Sequence, residues 1–271
     1  MRYVFLIAAV AAAGGLAVWV GAHFRKPKAG HRGKVMDSDL ARLAQDKGRQ
    51  TLLLWDTPVT DAGLAHLEGL TELQELSLGG TDVTDAGLVH LKNLTGLRKL
   101  NLQCTKLADA GLSHLKALTG LQSLDLSSTD VTDAGLVALK GLTALRELAL
   151  ADTQITGVGL AYLAELKGLR SLDLSLCEAL TDAGMAHLKE LTGLQDLDLL
   201  LCEGVTDEGL AHLKELKRLR KLRLSDTRVT DAGLLHLTEL KELQTLDLSH
   251  TNVTYAGWTE LRRALPNCEV K

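Results

Sequence analysis

From Asp37 onward, apolar and polar positions recur with a fixed period. In residues 121–144, LQSLDLSSTDVTDAGLVALKGLTA, Leu124 and Leu126 stand two apart, while Leu136, Leu139 and Leu142 stand three apart. Period two puts side chains on one side of a short strand. Period three puts them on one face of a short helical segment. A Thr-Asp-Ala-Gly-Leu pentad, or a close variant, marks every unit, starting at Thr60, Thr84, Ala108, Thr132, Thr156, Thr181, Thr206, Thr230 and Thr254. The interval is 24 residues, except for 25 at Thr156–Thr181 and Thr181–Thr206. Leu40 and Leu43 precede Leu64 and Leu67 by 24 residues, so a degenerate half-unit opens the array.

Within a unit, Thr132 is suited to cap a helix N-terminus and Asp133 to sit in its positive first turn. Gly135 leaves room where neighbouring units approach. A strand, a turn and a short helix cannot bury so much leucine alone, whereas stacked copies can. Strands are expected around Leu53, Ser77, Asn101, Asp125, Ala149, Asp173, Asp198, Arg223 and Asp247, with a last short one at Cys268–Val270. Ten parallel strands at the usual spacing span about 45 Å. Residues 255–271 break the pattern: Tyr255 replaces Asp, Trp258 replaces Leu, and Pro266 interrupts. This segment reads as a cap over an open core edge.

The pattern L-x-x-L-x-L-x-x-T/C-x-V/I-T-D-x-G-L-x-x-L resembles the leucine-rich repeat over about 235 of the 271 residues. The units LDLSLCEALTDAGM (172–185) and LDLLLCEGVTDEGL (197–210) are most similar to the cysteine-containing class found beside F-box domains and in many bacterial repeat proteins. The resemblance implies an α/β fold: a right-handed solenoid with a parallel sheet on the concave side and short helices on the convex side. It also implies protein binding on the concave face. No F-box-like region accompanies the repeats, so ubiquitin-ligase function does not carry over.

Composition agrees with a layered core. The chain holds 62 Leu but only eight aromatic residues. Balanced charge and high apolar content exclude disorder, three Pro exclude collagen, and four Cys do not make a disulfide scaffold. Charge is unevenly placed: no Asp or Glu precedes Asp37, and residues 37–271 hold 24 basic and 34 acidic residues, a net of −10. An acidic body argues against nucleic acid as partner.

Tyr3 to Ala22 is an uncharged apolar stretch of 20 residues, enough to reach about 30 Å as a helix. We read residues 3–22 as a single-pass transmembrane anchor contacting lipid, and residues 23–36 (HFRKPKAGHRGKVM) as a basic linker before the repeat domain at 37–271. The basic flank favours retention on the cytoplasmic side, leaving the body in the cytoplasm. The alternative is a signal peptide cut before His23, giving a secreted or periplasmic protein.

Strand alternation identifies the concave candidates. Asp173, Asp196 and Asp198 form an acidic patch flanked by Lys221 and Arg223, Asp125 and Asp247 are further candidates in the central column, and Leu53 and Trp55 form an apolar spot near the N-terminal end. Trp and Arg are favoured at interface hot spots, which singles out Trp55 and Arg223. Covering the open end of the stack is the other role for Trp55. His66, His90 and His114, then His187, His212 and His236, share one repeat position, with Ala138 and Tyr162 between the two groups. A metal site on this ladder is a further alternative, but parallel helices offer two convergent imidazoles at most. Cys177 and Cys202 replace Thr in a column shared with Thr129, Thr153 and Thr227, and read as small buried groups, with a disulfide between them as the alternative. No phosphate loop, H-E-x-x-H, C-x-x-C or G-x-S-x-G occurs. The expectation is therefore a non-catalytic, cofactor-free, monomeric module that binds a protein partner.

Overall fold

The computed structural model describes residues 35–271. The anchor expected at 3–22, and the linker as far as residue 34, lie outside the described residues. Among the described residues no helix is long and apolar enough to cross a membrane.

Ten short strands follow the repeat: β1 (Thr51–Leu53), β2 (Glu75–Ser77), β3 (Lys99–Asn101), β4 (Ser123–Asp125), β5 (Glu147–Ala149), β6 (Ser171–Asp173), β7 (Asp196–Asp198), β8 (Lys221–Arg223), β9 (Thr245–Asp247) and β10 (Glu269–Val270). They form one parallel sheet in sequence order. Each residue pairs with its equivalent one period later, as in Leu76↔Leu100 and Leu100↔Leu124. β1 to β9 are three residues long and centre one residue earlier than the alternation suggests, on the buried leucine, and β10 has two residues. The cause is a sharp turn after each strand. One residue per turn adopts a left-handed backbone: Asp56, Gly80, Cys104, Ser128, Asp152, Leu176, Leu201, Asp226 and His250. The Trp55 and Ser127 column therefore lies in the turn, past the strand end.

Leucines from strand, turn and helix close one continuous core. In one unit Leu76, Leu78, Val83, Leu88, Leu91, Leu94 and Leu97 are all essentially inaccessible. The turn is tied down by a column of hydroxyls. Thr81, Thr105, Thr129, Thr153 and Thr227 each donate to the carbonyl three residues back at 2.6 Å, which satisfies buried backbone that would otherwise lack a partner. Cys177 and Cys202 take the same column as free thiols. Their Sγ atoms donate instead to Leu150 and Leu174 of the preceding unit, at 3.2 and 3.1 Å.

The pentad is a latch between units. Thr84 Oγ caps its own helical segment by accepting from the Ala86 amide. It also donates to Asp61 Oδ2 of the preceding unit at 2.7 Å, and the Thr84 amide donates to Asp61 Oδ1 at 2.8 Å. A Cβ on Gly87 would collide with that same carboxylate. Thr, Asp and Gly are thus three parts of one inter-unit joint: the Asp serves the following unit, and the Gly makes room for the Asp of the preceding one. The half-unit at the start supplies the first latch, Asp37 to Thr60, from the short helix Asp37–Leu43. At the other end Tyr255 stands where the next Asp would be. There the helical segment lengthens to Tyr255–Ala264, with Tyr255 and Trp258 stacked at 5.7 Å and Arg262 over the Trp258 ring at 4.7 Å.

Candidate functional site

The concave floor is built from the last residue of each strand. The structure places Asp125, Asp173 and Asp198 there, but only 2%, 2% and 9% exposed. This corrects their standing as open contact residues. Neighbouring strands lie under about 5 Å apart, so adjacent side chains cover one another. Each carboxylate also folds back onto its own turn. Asp125, Asp173, Asp198 and Asp247 Oδ1 accept the amide two residues on, from Ser127, Ser175, Leu200 and Ser249, at 2.9–3.0 Å. These side chains hold the turn that precedes the left-handed residue. Asn101 does the same for the Gln103 amide, and its amide nitrogen donates to Asp125 Oδ2 at 3.1 Å.

The accessible concave features lie on one edge and at the two ends. Glu75, Lys99, Glu147 and Asp196, together with the more exposed Lys221, line the edge formed by the first strand residues. At the N-terminal end Leu53 is 38% exposed. Half-buried Trp55 lies across Gly79, where any Cβ would strike its ring. Gly79 is therefore the seat of Trp55.

At the C-terminal end the charges form a chain. Arg223 Nη1 donates to Asp198 Oδ2 at 2.6 Å, and its Nε lies 3.9 Å from Asp247 Oδ2. Lys221 Nζ stands 3.9 Å from Asp196. Ser225, at the position of Ser175 and Ser249, lacks a carboxylate in its own unit, and its buried hydroxyl turns to Asp247 of the next. Its equivalents donate to Asp173 and Asp247, whereas Arg223 replaces that acceptor here.

Burial pushes the Asp173 carboxyl up to about 7, and the nearby charge of Asp198 adds to the effect. Burial likewise raises Asp198 despite Arg223, and raises Asp125 and Asp196. At Asp247 burial acts in the same direction, but hydrogen bonds from Ser249 and Ser225 and the field of Arg223 outweigh it, and its pKa is lowered.

The convex side carries the His ladder. His90 Nδ1 lies 2.6 Å from Glu68 Oε1, and His66 is exposed. Among the described residues no group of three or more His, Cys, Asp or Glu converges to hold a metal ion. Burial raises the thiols of Cys177, to about 11, and of Cys202 well above the ordinary range, so neither is poised as a thiolate nucleophile.

Sequence reading missed two devices. The pentad Asp was assigned to its own helix start. The recurring Gly, 26 residues after the Asp in most units, is the signal for its partner across the junction. The floor Asp reads from alternation as a partner-binding group of the concave face. The recurrent Asp-x-Ser at 125–127, 173–175 and 247–249 is the signal that it caps a turn.

A Leucine rich repeat model matches residues 95–155 and 119–178, and a second one matches residues 70–91 and 169–189. A search of curated proteins found no match. Among solved structures, an internalin C2 from Listeria monocytogenes is 26% identical and covers 88% of this chain and 84% of its own, with a TM-score of 0.50. An internalin F from the same organism is 18% identical, covers 86% and 93%, and has a TM-score of 0.41.

Proposed function

We propose that this chain, a leucine-rich repeat protein, is a non-catalytic module that binds a protein partner along the exposed edge and ends of its concave face. Its N-terminal segment 3–22 tethers it to a membrane, with the repeat body on the cytoplasmic side. The observation that carries the binding reading is the uninterrupted ten-strand parallel sheet, whose floor is locked by its own hydrogen bonds while an edge column of charged side chains and an apolar end stay accessible. A surface fixed in advance loses little conformational entropy on binding. The likeness to internalin C2 supports the fold on which this reading rests.

Proximity labelling from the body of the full-length chain, in wild type and in a Leu53→Asp/Lys221→Glu variant, tests the binding surface. Both residues are exposed and neither takes part in the latch or the core. A partner should be labelled by wild type and lost, by tenfold or more, with the variant, while circular dichroism stays unchanged. Equal labelling by both would sink the concave-face assignment. Intact mass of the mature protein tests the tether: a chain beginning at His23 would replace the anchor with a cleaved signal.

A further inference from the structure

We infer that the solenoid contains a built-in weak joint between the Thr156 and Thr181 units, at which it opens as two cooperative bodies before it unfolds as a whole.

The latch defines the normal junction. Asp37, Asp61, Asp109, Asp133, Asp182, Asp207 and Asp231 bind both the amide and the hydroxyl of the following unit's Thr, and Asp85 binds the amide of Ala108. At one junction Gly157 stands in place of the Asp. Thr181 receives no carboxylate there. Its amide donates to the Thr156 carbonyl at a long 3.2 Å, and its hydroxyl only caps Gly184.

A second bond is lost at the same place. In the preceding units the amides of Asp82, Lys106, Asp130 and Gln154 donate across the junction to Val59, Val83, Leu107 and Val131 at 2.9–3.1 Å. The pattern resumes at Arg228 to Val205 and Asn252 to Val229. Among the described residues no amide donates to the carbonyl of Ile155, nor to that of Leu180 one unit later. The repeat also lengthens from 24 to 25 residues at this step, which moves the turn out of reach. The next junction shares that longer period but keeps its latch through Asp182 and Thr206. The Thr156–Thr181 junction is thus the one that loses both the carboxylate and the turn bond.

What replaces them is backbone against backbone. Gly157 has φ +105°, and a Cβ on Gly157 or Gly184 would collide with the other's Cα. The β5–β6 pairing is intact, and Cys177 Sγ bridges to Leu150 O. The weakening is therefore confined to the helical side. The His column resumes past this joint at His187, with Ala138 and Tyr162 in the two units before it. In a solenoid, stability is a sum of unit and nearest-neighbour terms, so one poor interface sets where the array divides. The division falls between the Leu53/Trp55 end and the Asp196–Asp247 end of the concave face. Opening would change the angle between the two accessible ends.

Hydrogen exchange with mass spectrometry on the full-length chain, at low denaturant, tests this without any substitution. Peptides covering 146–157 and 170–184 should exchange at least tenfold faster than those covering the Thr132 and Thr206 junctions. Uniform protection across the interior junctions, or an earlier opening at another interior junction, overturns the inference. Asp109→Gly supplies the converse test, since it copies the loss of the carboxylate into a latched junction that keeps its turn bond. Faster exchange at 108–133 by a similar factor supports the argument, and unchanged protection there refutes the role given to the carboxylate.

Discussion

Replacing Arg223 with Met is expected to destabilise the repeat domain by about 3–5 kcal/mol at pH 8, the cost typical of removing one partner from a buried ion pair. Arg223 and Asp198 side chains are 19% and 12% exposed, and their contact is 2.6 Å. Methionine keeps much of the volume, so the loss is electrostatic rather than a cavity. It leaves Asp198 buried beside Asp173 with no cation in contact, because Lys221 faces Asp196 on the edge. The deficit should shrink toward pH 5. Asp198 already titrates above the ordinary carboxylate range, chiefly through burial, and without Arg223 it would take up a proton more readily still. Thermal melts of wild type and Arg223→Met across that pH range provide the check. A deficit that stays constant with pH would mean that the guanidinium acts through packing alone.

Asp173→Asn is expected to move stability in the opposite direction. The folded chain holds the Asp173 proton up to about pH 7, because of burial and then of Asp198, whereas the unfolded chain releases it near the ordinary 3.8. The folded state therefore binds more protons between these values, and wild-type stability falls as pH rises from about 4 to about 7. A tenfold difference in proton affinity between folded and unfolded chain is worth about 1.4 kcal/mol, so the variant should gain about 2 kcal/mol or more at pH 8 and nothing at pH 4. Asparagine retains an oxygen to accept from the Ser175 amide and hydroxyl, as Asn101 does for the Gln103 amide in an earlier unit. Denaturant titrations at pH 4, 6 and 8 measure the difference. Equal stabilities at pH 8 would show that Asp173 ionises without penalty.

These two residues also show where sequence reasoning stops. The fold was legible because one 24-residue pattern repeats nearly unchanged: Leu124 and Leu126 could only be strand, and Leu136, Leu139 and Leu142 only a helical face. Ten parallel strands followed, and the described residues form ten. Alternation puts Asp125, Asp173 and Asp198 on the sheet face opposite the buried leucines, but periodicity specifies a side and not an exposure. Whether a short carboxylate reaches solvent or its own backbone depends on the turn that follows, and of the nine left-handed residues there only Gly80 is a glycine. Without a glycine signal, the turn and its cap go unnoticed. The Asp–Thr latch was hidden for a different reason. Its two halves are 23 or 24 residues apart, and each half has a sufficient local explanation as a helix cap.

The latch has a consequence for how such a chain changes length. A unit with the intact pentad offers a carboxylate to its successor and a Thr and Gly to its predecessor, so such units, the Ala108 and Gly157 ones apart, present faces that are complementary to one another. A duplicated or deleted block of one period leaves no group without its counterpart, provided that the cut respects the phase. The array can thus grow or shrink by about 4.8 Å of sheet at a time. Only its extremities, with Asp37 at one and Tyr255 at the other, are fixed in kind rather than in number.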